Sequence, residues 1–291
     1  MTATIAKAEN FIRKNARPLD YELYRYQQDQ GSQGGVLDAL AAYQNTDGGF
    51  GGPLEPDNFC PYSLPLTSWK AITYLRKISC FDSKLTLVKS LVSYLQSSRR
   101  ADGYWNTTDS RSQDFPHAPW WQDQGEAQRV WGLNPTVEIC AYLLRLGVSS
   151  ETAYMESLIK HYLEGPEIGM HELVNLLVCF TDLKTLNWER LDRFEAKLIV
   201  DLENQVSKTP EAWQGYGLRL SMFSEVMDPF FLSPYRDLIK AEQAYLTETQ
   251  SEDGSWELNW DWGGTYPEFW PIARRWWQAI QAIQYLQFLR L

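Results

Sequence analysis

Apolar residues recur along most of this chain at the i, i+3, i+4, i+7 spacing that lays one face of a helix against a core. Val88, Leu91, Val92 and Leu95 follow it, as do Val137, Cys140, Ala141 and Leu144. Met170, Leu173, Val174 and Leu177 repeat the pattern, and Ala273, Trp276, Trp277, Ile280 and Ile283 give it to the last segment. Helix-entry signals accompany it. Asn134-Pro135-Thr136 places a capping residue before a proline suited to a first turn, and Ser150-Glu151 and Ser233-Pro234 open two more. Nowhere does a period of two persist long enough to predict a strand. The pattern predicts an all-α chain of roughly eleven or twelve helices, grouped as about six pairs of about 50 residues each.

Three helix ends look alike. Leu40 to Phe50 contains Gln44 and then Asp47-Gly48-Gly49-Phe50; Tyr94-Leu95-Gln96 runs on to Asp102-Gly103-Tyr104-Trp105; Ala244 to Trp256 contains Gln250 and then Asp253-Gly254-Ser255-Trp256. The Asp-Gly pairs stand 55 and 151 residues apart, and the longer interval leaves room for two degenerate copies. Glycine takes the left-handed conformation that ends a helix, and Asp-Gly is a strong turn former. A glutamine amide at that point can bond exposed backbone groups while the aromatic ring covers it. Gln44, Gln96, Gln250, Asp102, Asp253 and Trp256 are therefore read as staples between repeats, without chemistry of their own.

Glutamine followed by Asp-Gly-x-Trp at the end of an apolar helix resembles the QW-type repeat of squalene–hopene cyclases and protein prenyltransferase β subunits. The chain is most similar to short bacterial proteins of the prenyltransferase or squalene-cyclase-like kind. Asp47-Gly-Gly-Phe-Gly-Gly-Pro-Leu-Glu55-Pro-Asp57, Ala118-Pro-Trp120-Trp121 and Asn134-Pro-Thr136 carry that likeness. The resemblance implies one α6/α6 toroid over residues 1–291, with inner helices lining a cavity and outer helices around them. It also implies an isoprenoid-type apolar ligand.

Departures from the family narrow the chemistry. No Asp-Asp dipeptide occurs, which excludes both the Asp-x-Asp-Asp proton donor of the cyclases and an Asp-Asp-x-x-Asp magnesium site. The zinc-binding Asp-x-Cys of the protein prenyltransferases has only Asp57-Asn-Phe-Cys60 as a counterpart, one residue too long, with His117 or His171 as a remote third ligand. No metal and no cofactor are expected.

Charge and composition exclude further classes. Lys and Arg number 27 against 37 Asp and Glu, a formal charge of −10, which argues against a nucleic-acid partner. Apolar residues make up 44% of the chain, ample for a core, yet no run reaches the length of a membrane span. The first 17 residues mix Lys7, Glu9, Arg13 and Lys14 with short apolar steps and lack the apolar centre of a signal peptide. Cys60, Cys80, Cys140 and Cys179 are scattered without a close pair, as expected of buried thiols in a cytoplasmic protein.

Aromatic and acidic side chains supply the candidate chemistry. Trp105, Trp120, Trp121 and Trp131 crowd one stretch, and six of the 13 tryptophans lie between Trp256 and Trp277. Trp120-Trp121 and Trp260-Asp261-Trp262 fall in segments rich in Pro, Gly, Asp and Gln. There they either wall a cavity, whose π faces suit a carbocation or a sugar ring, or seal helix ends. Glu55 and Asp57 flank a proline in a rigid turn, and Asp114 precedes Phe115-Pro116-His117. A carboxyl beside apolar rings holds its proton more tightly, as a general acid must.

The sequence thus nominates Glu55, Asp57, Asp114 and His117 for acid–base work. Trp120, Trp121, Trp131, Trp262, Asp261 and His171 are nominated for ligand contact. Asp123 and Glu126 read as solvated charge. No nucleophile elbow, phosphate loop or dinucleotide fingerprint is present. Three functions stay open: a binder or transformer of a small isoprenoid, a carbohydrate-active α/α-barrel glycosidase or lyase, and a non-catalytic module that docks a protein.

Overall fold

Proline opens several of the helices because its fixed φ suits a first turn and its missing N–H costs nothing there. The computed structural model describes residues 1–225 and 227–291. The helices are Thr2–Asn15 (α1), Pro18–Gln27 (α2), Gln33–Ala41 (α3), Pro65–Lys77 (α4), Thr86–Ser97 (α5), Leu133–Arg145 (α6), Thr152–Glu164 (α7), Met170–Thr185 (α8), Asp192–Gln205 (α9), Pro210–Gln214 (α10), Pro229–Leu232 (α11), Arg236–Glu248 (α12) and Trp270–Phe288 (α13). Setting aside the short α10 and α11, these match the predicted number. Among the described residues there are isolated β-bridges but no strand, and no helix is long and apolar enough to cross a membrane.

The predicted entries at Ser150-Glu151 and Ser233-Pro234 are 3-10 turns that lead into α7 and α12. The entry at Asn134-Pro135 differs. Its peptide bond is cis and both residues are non-helical, so regular helix starts at Thr136. Asn134 does not cap α6. Its Oδ1 accepts a hydrogen bond from Asn175 Nδ2 of α8 at 3.4 Å.

Two kinds of helix ending recur along the chain and alternate from α2 to α5. After α2, α4, α6 and α8 a single left-handed residue turns the backbone: Asp29, Ser79, Gly147 and Asn187, with φ of 55°, 52°, 86° and 53°. In each case the next amide reaches back to the carbonyl five residues earlier, as in Gln30 N to Arg25 O (2.9 Å) and Cys80 N to Leu75 O (2.8 Å). After α3, α5 and α12 comes the Asp-Gly turn instead. There an aspartate Oδ1 accepts from the amide two residues on (Asp47 from Gly49, Asp102 from Tyr104, Asp253 from Ser255), and the glycines sit at φ of 88°, 89° and 95°.

Gln44 Nε2 donates to Gly48 O and to Leu87 O in the first turn of α5, both at 2.9 Å. Gln250 Nε2 donates to Gly254 O at 3.1 Å and to Thr4 O of α1 at 2.9 Å. A neighbouring helix passes so close that a Cβ on Gly48 would stand 2.3 Å from Ser90 O of α5, and one on Gly254 2.2 Å from Lys7 O of α1.

The middle copy corrects the sequence reading. Gln96 is exposed, and the residue four before Gly103 is Arg99, whose Nε donates to Gly103 O at 2.9 Å. Arg99 also holds both carboxylate oxygens of Glu151, at 2.9 and 2.8 Å. Trp105 and Trp256 complete the pattern by donating from Nε1 to Leu95 O and Leu246 O, each at 2.8 Å. The interval between the second and third copies holds the four longer helices α6 to α9 and the short α10 and α11, and contains no Asp-Gly turn.

The chain divides into two compact units: Met1–Ala39 with Glu203–Leu291, and Leu40–Leu202. In the first, α1 and α2 pack on α13, and the 3-10 turn Leu220–Met222 packs on α12 and α13. Phe11, Trp213, Trp262, Tyr285 and Phe288 are buried there. In the second, α6 packs against α4, α7 and α8 over Ile72, Ile139, Tyr142, Leu176 and Phe180. Each such side chain stabilises its unit by about 1.5–3 kcal/mol.

Polar contacts fix the sense of the helices in the second unit. Trp69 near the start of α4 donates to Glu138 of α6 at 2.8 Å, and Asn175 near the start of α8 meets Asn134 at the start of α6. Arg76 and Arg145, at the ends of α4 and α6, both pair with Asp182 toward the end of α8. The long Arg76 side chain also reaches back to Glu138, yet Trp69–Glu138 followed by Cys80–Tyr142, and Asn175–Asn134 followed by Asp182–Arg145, advance together along each pair, so α4, α6 and α8 run in the same sense.

Candidate functional site

The Gly51–Ser63 loop follows the first staple and folds back on itself. Gly52 N bonds Cys60 O at 2.6 Å, and a Cβ on Gly51 would stand 2.3 Å from Pro61 O. The loop then pairs with the segment before the tryptophan pair: Phe59 N bonds Pro116 O and Ala118 N bonds Asp57 O, both at 2.9 Å, around a bridge between Asn58 and His117. This pairing buries Glu55, Asp57, Asn58 and His117 and brings Asp57 and His117 together through their backbones.

His117 Nδ1 donates to Phe115 O at 2.7 Å, and Nε2 lies 3.3 Å from Gln122 Oε1. Gln122 in turn donates to Gln113 Oε1 at 2.5 Å. The ring is thus tied at both nitrogens and serves as a loop clamp. Asp114 ends the 3-10 turn Ser110–Asp114, exposed to water, where its charge and that of Asp109 add to the burial that pushes the Cys60 thiol up.

Glu55 is drawn in another direction. It is 5% exposed, and its Oε2 lies 3.4 Å from Lys70 Nζ on α4. Its charge also acts on His171, in the first turn of α8. His171 is exposed to water, yet the matter crowded around it desolvates the imidazolium and lowers its pKa, against the opposing pull of Glu55. An imidazole in that state is neutral near pH 7 and accepts a proton.

On α6, burial pushes the Glu138 carboxyl up, while Arg76, Trp69 and Lys70 pull it down. Burial thus shifts an acid on α6 upward and an imidazole at the start of α8 downward, and titratable groups pushed in different directions by their surroundings are candidates for acid–base roles.

Around them lie buried polar atoms without a hydrogen-bond partner: Asn58 Nδ2, Thr67 Oγ1 of α4, Thr136 Oγ1 of α6 and Asn175 Oδ1 of α8. Buried polar groups are nearly always paired, so a concentration of unpaired ones marks a place built for a guest molecule or water. Except for Asn58, which lies in the loop, they stand near the starts of three neighbouring helices that run in the same sense.

The tryptophan pair splits. Trp121 is buried and stacks on half-buried Trp131 at 4.8 Å and 8°, with its Nε1 unpaired, whereas Trp120 is 38% exposed. Asp123, read as solvated, instead closes an ion pair with Arg129 at 2.6 Å. Trp262 and Asp261 belong to the unit of residues 1–39 and 203–291. Trp262 is fully buried against Trp270 at 5.7 Å, and exposed Asp261 accepts from Gly263 N at 2.6 Å as a turn former. Among the described residues no three His, Cys, Asp or Glu side chains are grouped to hold a metal ion.

Lys70, Trp69, Glu138, Thr136 and Asn175 were not among the sequence candidates. A signal existed for Glu138: it is one charge inside the apolar run Val137 to Leu144, and a lone charge in such a run is buried with a partner. The neutral residues carried no comparable mark. Comparison of the chain with protein-family models, with curated proteins and with solved structures finds no match.

Proposed function

We propose that the chain is a single α/α toroid of the terpenoid cyclase and prenyltransferase kind. It binds a small isoprenoid-type apolar ligand at the starts of α4, α6 and α8 and moves a proton to or from it. The toroid reading rests on the left-handed ending shared by α2, α4, α6 and α8 and on the same-sense course of α4, α6 and α8, as expected of the inner members of successive helical hairpins. The ligand class rests on the likeness of the Gln44 and Gln250 staples to the QW repeat. In this reading Glu138 gives a proton, His171 takes one, and the Glu55–Lys70 pair orients the polar end of the ligand. The stacked Trp121 and Trp131 offer π faces to developing positive charge. Asp57, Asp114 and His117 hold the loop that carries Glu55.

The observation that carries the reading is the Glu55–Lys70–His171 group set among unpaired Thr67, Thr136 and Asn175. A thermal-shift panel of isoprenyl diphosphates with and without magnesium, isoprenoid alcohols and oligosaccharides tests it. A ligand at about 100 times its Kd stabilises by about 2.7 kcal/mol, which at this size raises Tm by roughly 2–4 °C per kcal/mol. The expected result is a shift with isoprenoids that Trp121→Ala abolishes while its fold is kept. A shift with sugars alone would replace the ligand class and assign the same carboxyls to glycoside chemistry. No shift with any compound would favour a protein-docking module.

A further inference from the structure

A separate cavity lies in the unit of residues 1–39 and 203–291, apart from every residue of the proposed isoprenoid site. It encloses about 200 Å³ and is walled by Trp213, Arg219, Tyr245, Trp256, Gln281 and Tyr285. Exposed Gln214, Thr249 and Glu257 stand at its rim.

Two aromatic pairs make the floor: Trp213 with Tyr245 at 5.2 Å, and Trp256 with Tyr285 at 5.1 Å and 87°. Both indoles are fixed by donating from Nε1 to backbone carbonyls, Ser207 O and Leu246 O. The Arg219 guanidinium lies over the rings of Tyr245 and Tyr285, at 5.5 and 5.4 Å. It is 7% exposed and pairs with the fully buried Glu242 through a single contact, Nε to Oε1 at 3.3 Å. Its Nη1 donates to Trp213 O at 3.4 Å.

Its Nη2 has no partner, and neither have Glu242 Oε2 and Gln281 Oε1. Burial pushes the Glu242 carboxyl up, against Ser221 and Arg219. A buried, cationic, unpaired donor is costly to leave without an acceptor.

We infer that this cavity binds a monocyclic aromatic carboxylate, its ring among Trp213, Tyr245, Trp256 and Tyr285 and its carboxylate on Arg219. The size fits: a cavity of about 150 Å³ holds one benzene ring, so the present one has room for the ring and its acid group. A neutral sugar leaves the unpaired cation unanswered, and an isoprenoid is too long for the space.

Calorimetric titration of the full chain with benzoate tests the assignment, with benzyl alcohol and glucose as neutral probes of similar size. Benzoate binding, with benzyl alcohol at least tenfold weaker, is the expected result. Leu258→Trp fills the cavity from its half-buried wall without touching the Arg219–Glu242 pair, and should remove benzoate binding while Tm of the free protein holds. Arg219→Gln should weaken benzoate to the level of benzyl alcohol. Equal binding of acid and alcohol, preference for glucose, no heat at millimolar benzoate, or full benzoate affinity in Leu258→Trp would each overturn the proposal. None of these outcomes touches the isoprenoid reading, whose residues lie in the other unit.

Discussion

Each unit buries charged side chains, and it completes them differently. In Leu40–Leu202, Arg76 lies between Glu138, 3.3 Å away, and Asp182, and Asp182 also meets Arg145 at 3.1 Å. Arg76 gives its Nη2 to Glu138 O at 2.9 Å, and Arg145 lies over the Phe81 ring at 3.9 Å. Each of the two acids has an arginine partner, and each arginine an acidic one. In the other unit Arg219 and Glu242 meet once, and an atom of each is left over. A closed network fixes how three helices pack, whereas an open pair beside a cavity keeps interaction energy in reserve for a ligand. Burial alone does not separate the two; the share of unpaired atoms does, with Arg76 Nε alone among the four residues of the network against Arg219 Nη2 and Glu242 Oε2 in the two residues of the pair.

Arg76→Met should break the closed network with the largest effect. It leaves Glu138 and Asp182 buried, with only Arg145 to answer both, and orphaned buried charge costs about 3–5 kcal/mol. Denaturant unfolding measures it, and a loss under about 1 kcal/mol would mean that the network does not hold the helices. Glu242→Gln should cost less, about 1.5–3 kcal/mol. The amide oxygen still accepts from Ser221, which donates to Glu242 Oε1 at 2.5 Å, and Oε2 has no bond to lose. Equal costs for the two variants would erase the distinction between closed and open pairs.

The staples serve as an internal control, because the two units share them. Gln44→Ala and Gln250→Ala each delete two bonds to backbone carbonyls and should cost about 1–2 kcal/mol apiece. If one costs several times the other, the units differ in general stability and not only in how their charges are completed. Arg99→Gln restores the repeat consensus at the middle staple but gives up Glu151, which is 3% exposed. It should therefore destabilise by more than either alanine variant.

The same residues show what a sequence reveals and what it hides. Gln44 and Gln250 were legible because a local turn geometry demands Gln, Asp, Gly and an aromatic ring at fixed offsets. The middle copy misled: Gln96 sits at a plausible distance from Asp102, but the donor must stand four residues before the glycine, and Arg99 does. The helices and most of their entries followed from periodicity, which is a property of contiguous residues. The Glu55–Lys70 pair was not legible, since it joins a loop to a helix through a fold-back that only Gly51 and Gly52 make possible. Nor was the role of His117, whose two tethers come from Phe115 and Gln122 in an irregular loop. Side-chain partners that lie across irregular backbone leave no periodic trace.

The smallest effect is the most local one. All three histidines, His117, His161 and His171, lie between residues 40 and 202, so only that unit contains an imidazole to titrate between pH 5 and 8. Burial lowers the His171 pKa below its unfolded value of 6.5, with Glu55 resisting. The folded state therefore binds fewer protons than the unfolded state in that range, and stability rises with pH. The contribution is fully present above pH 6.5 and is lost as pH falls through the folded pKa. His171→Gln should flatten this part of the stability curve relative to the parent protein. Glu55→Gln removes the charge that resists the shift, so the decline should extend to lower pH. Hydrogen exchange at pH 5 and pH 7 can place the effect: protection should change at the starts of α4, α6 and α8 and stay constant in α12 and α13. If His171→Gln leaves the pH slope untouched, His171 is an ordinary solvated histidine, and the acid–base centre loses its base.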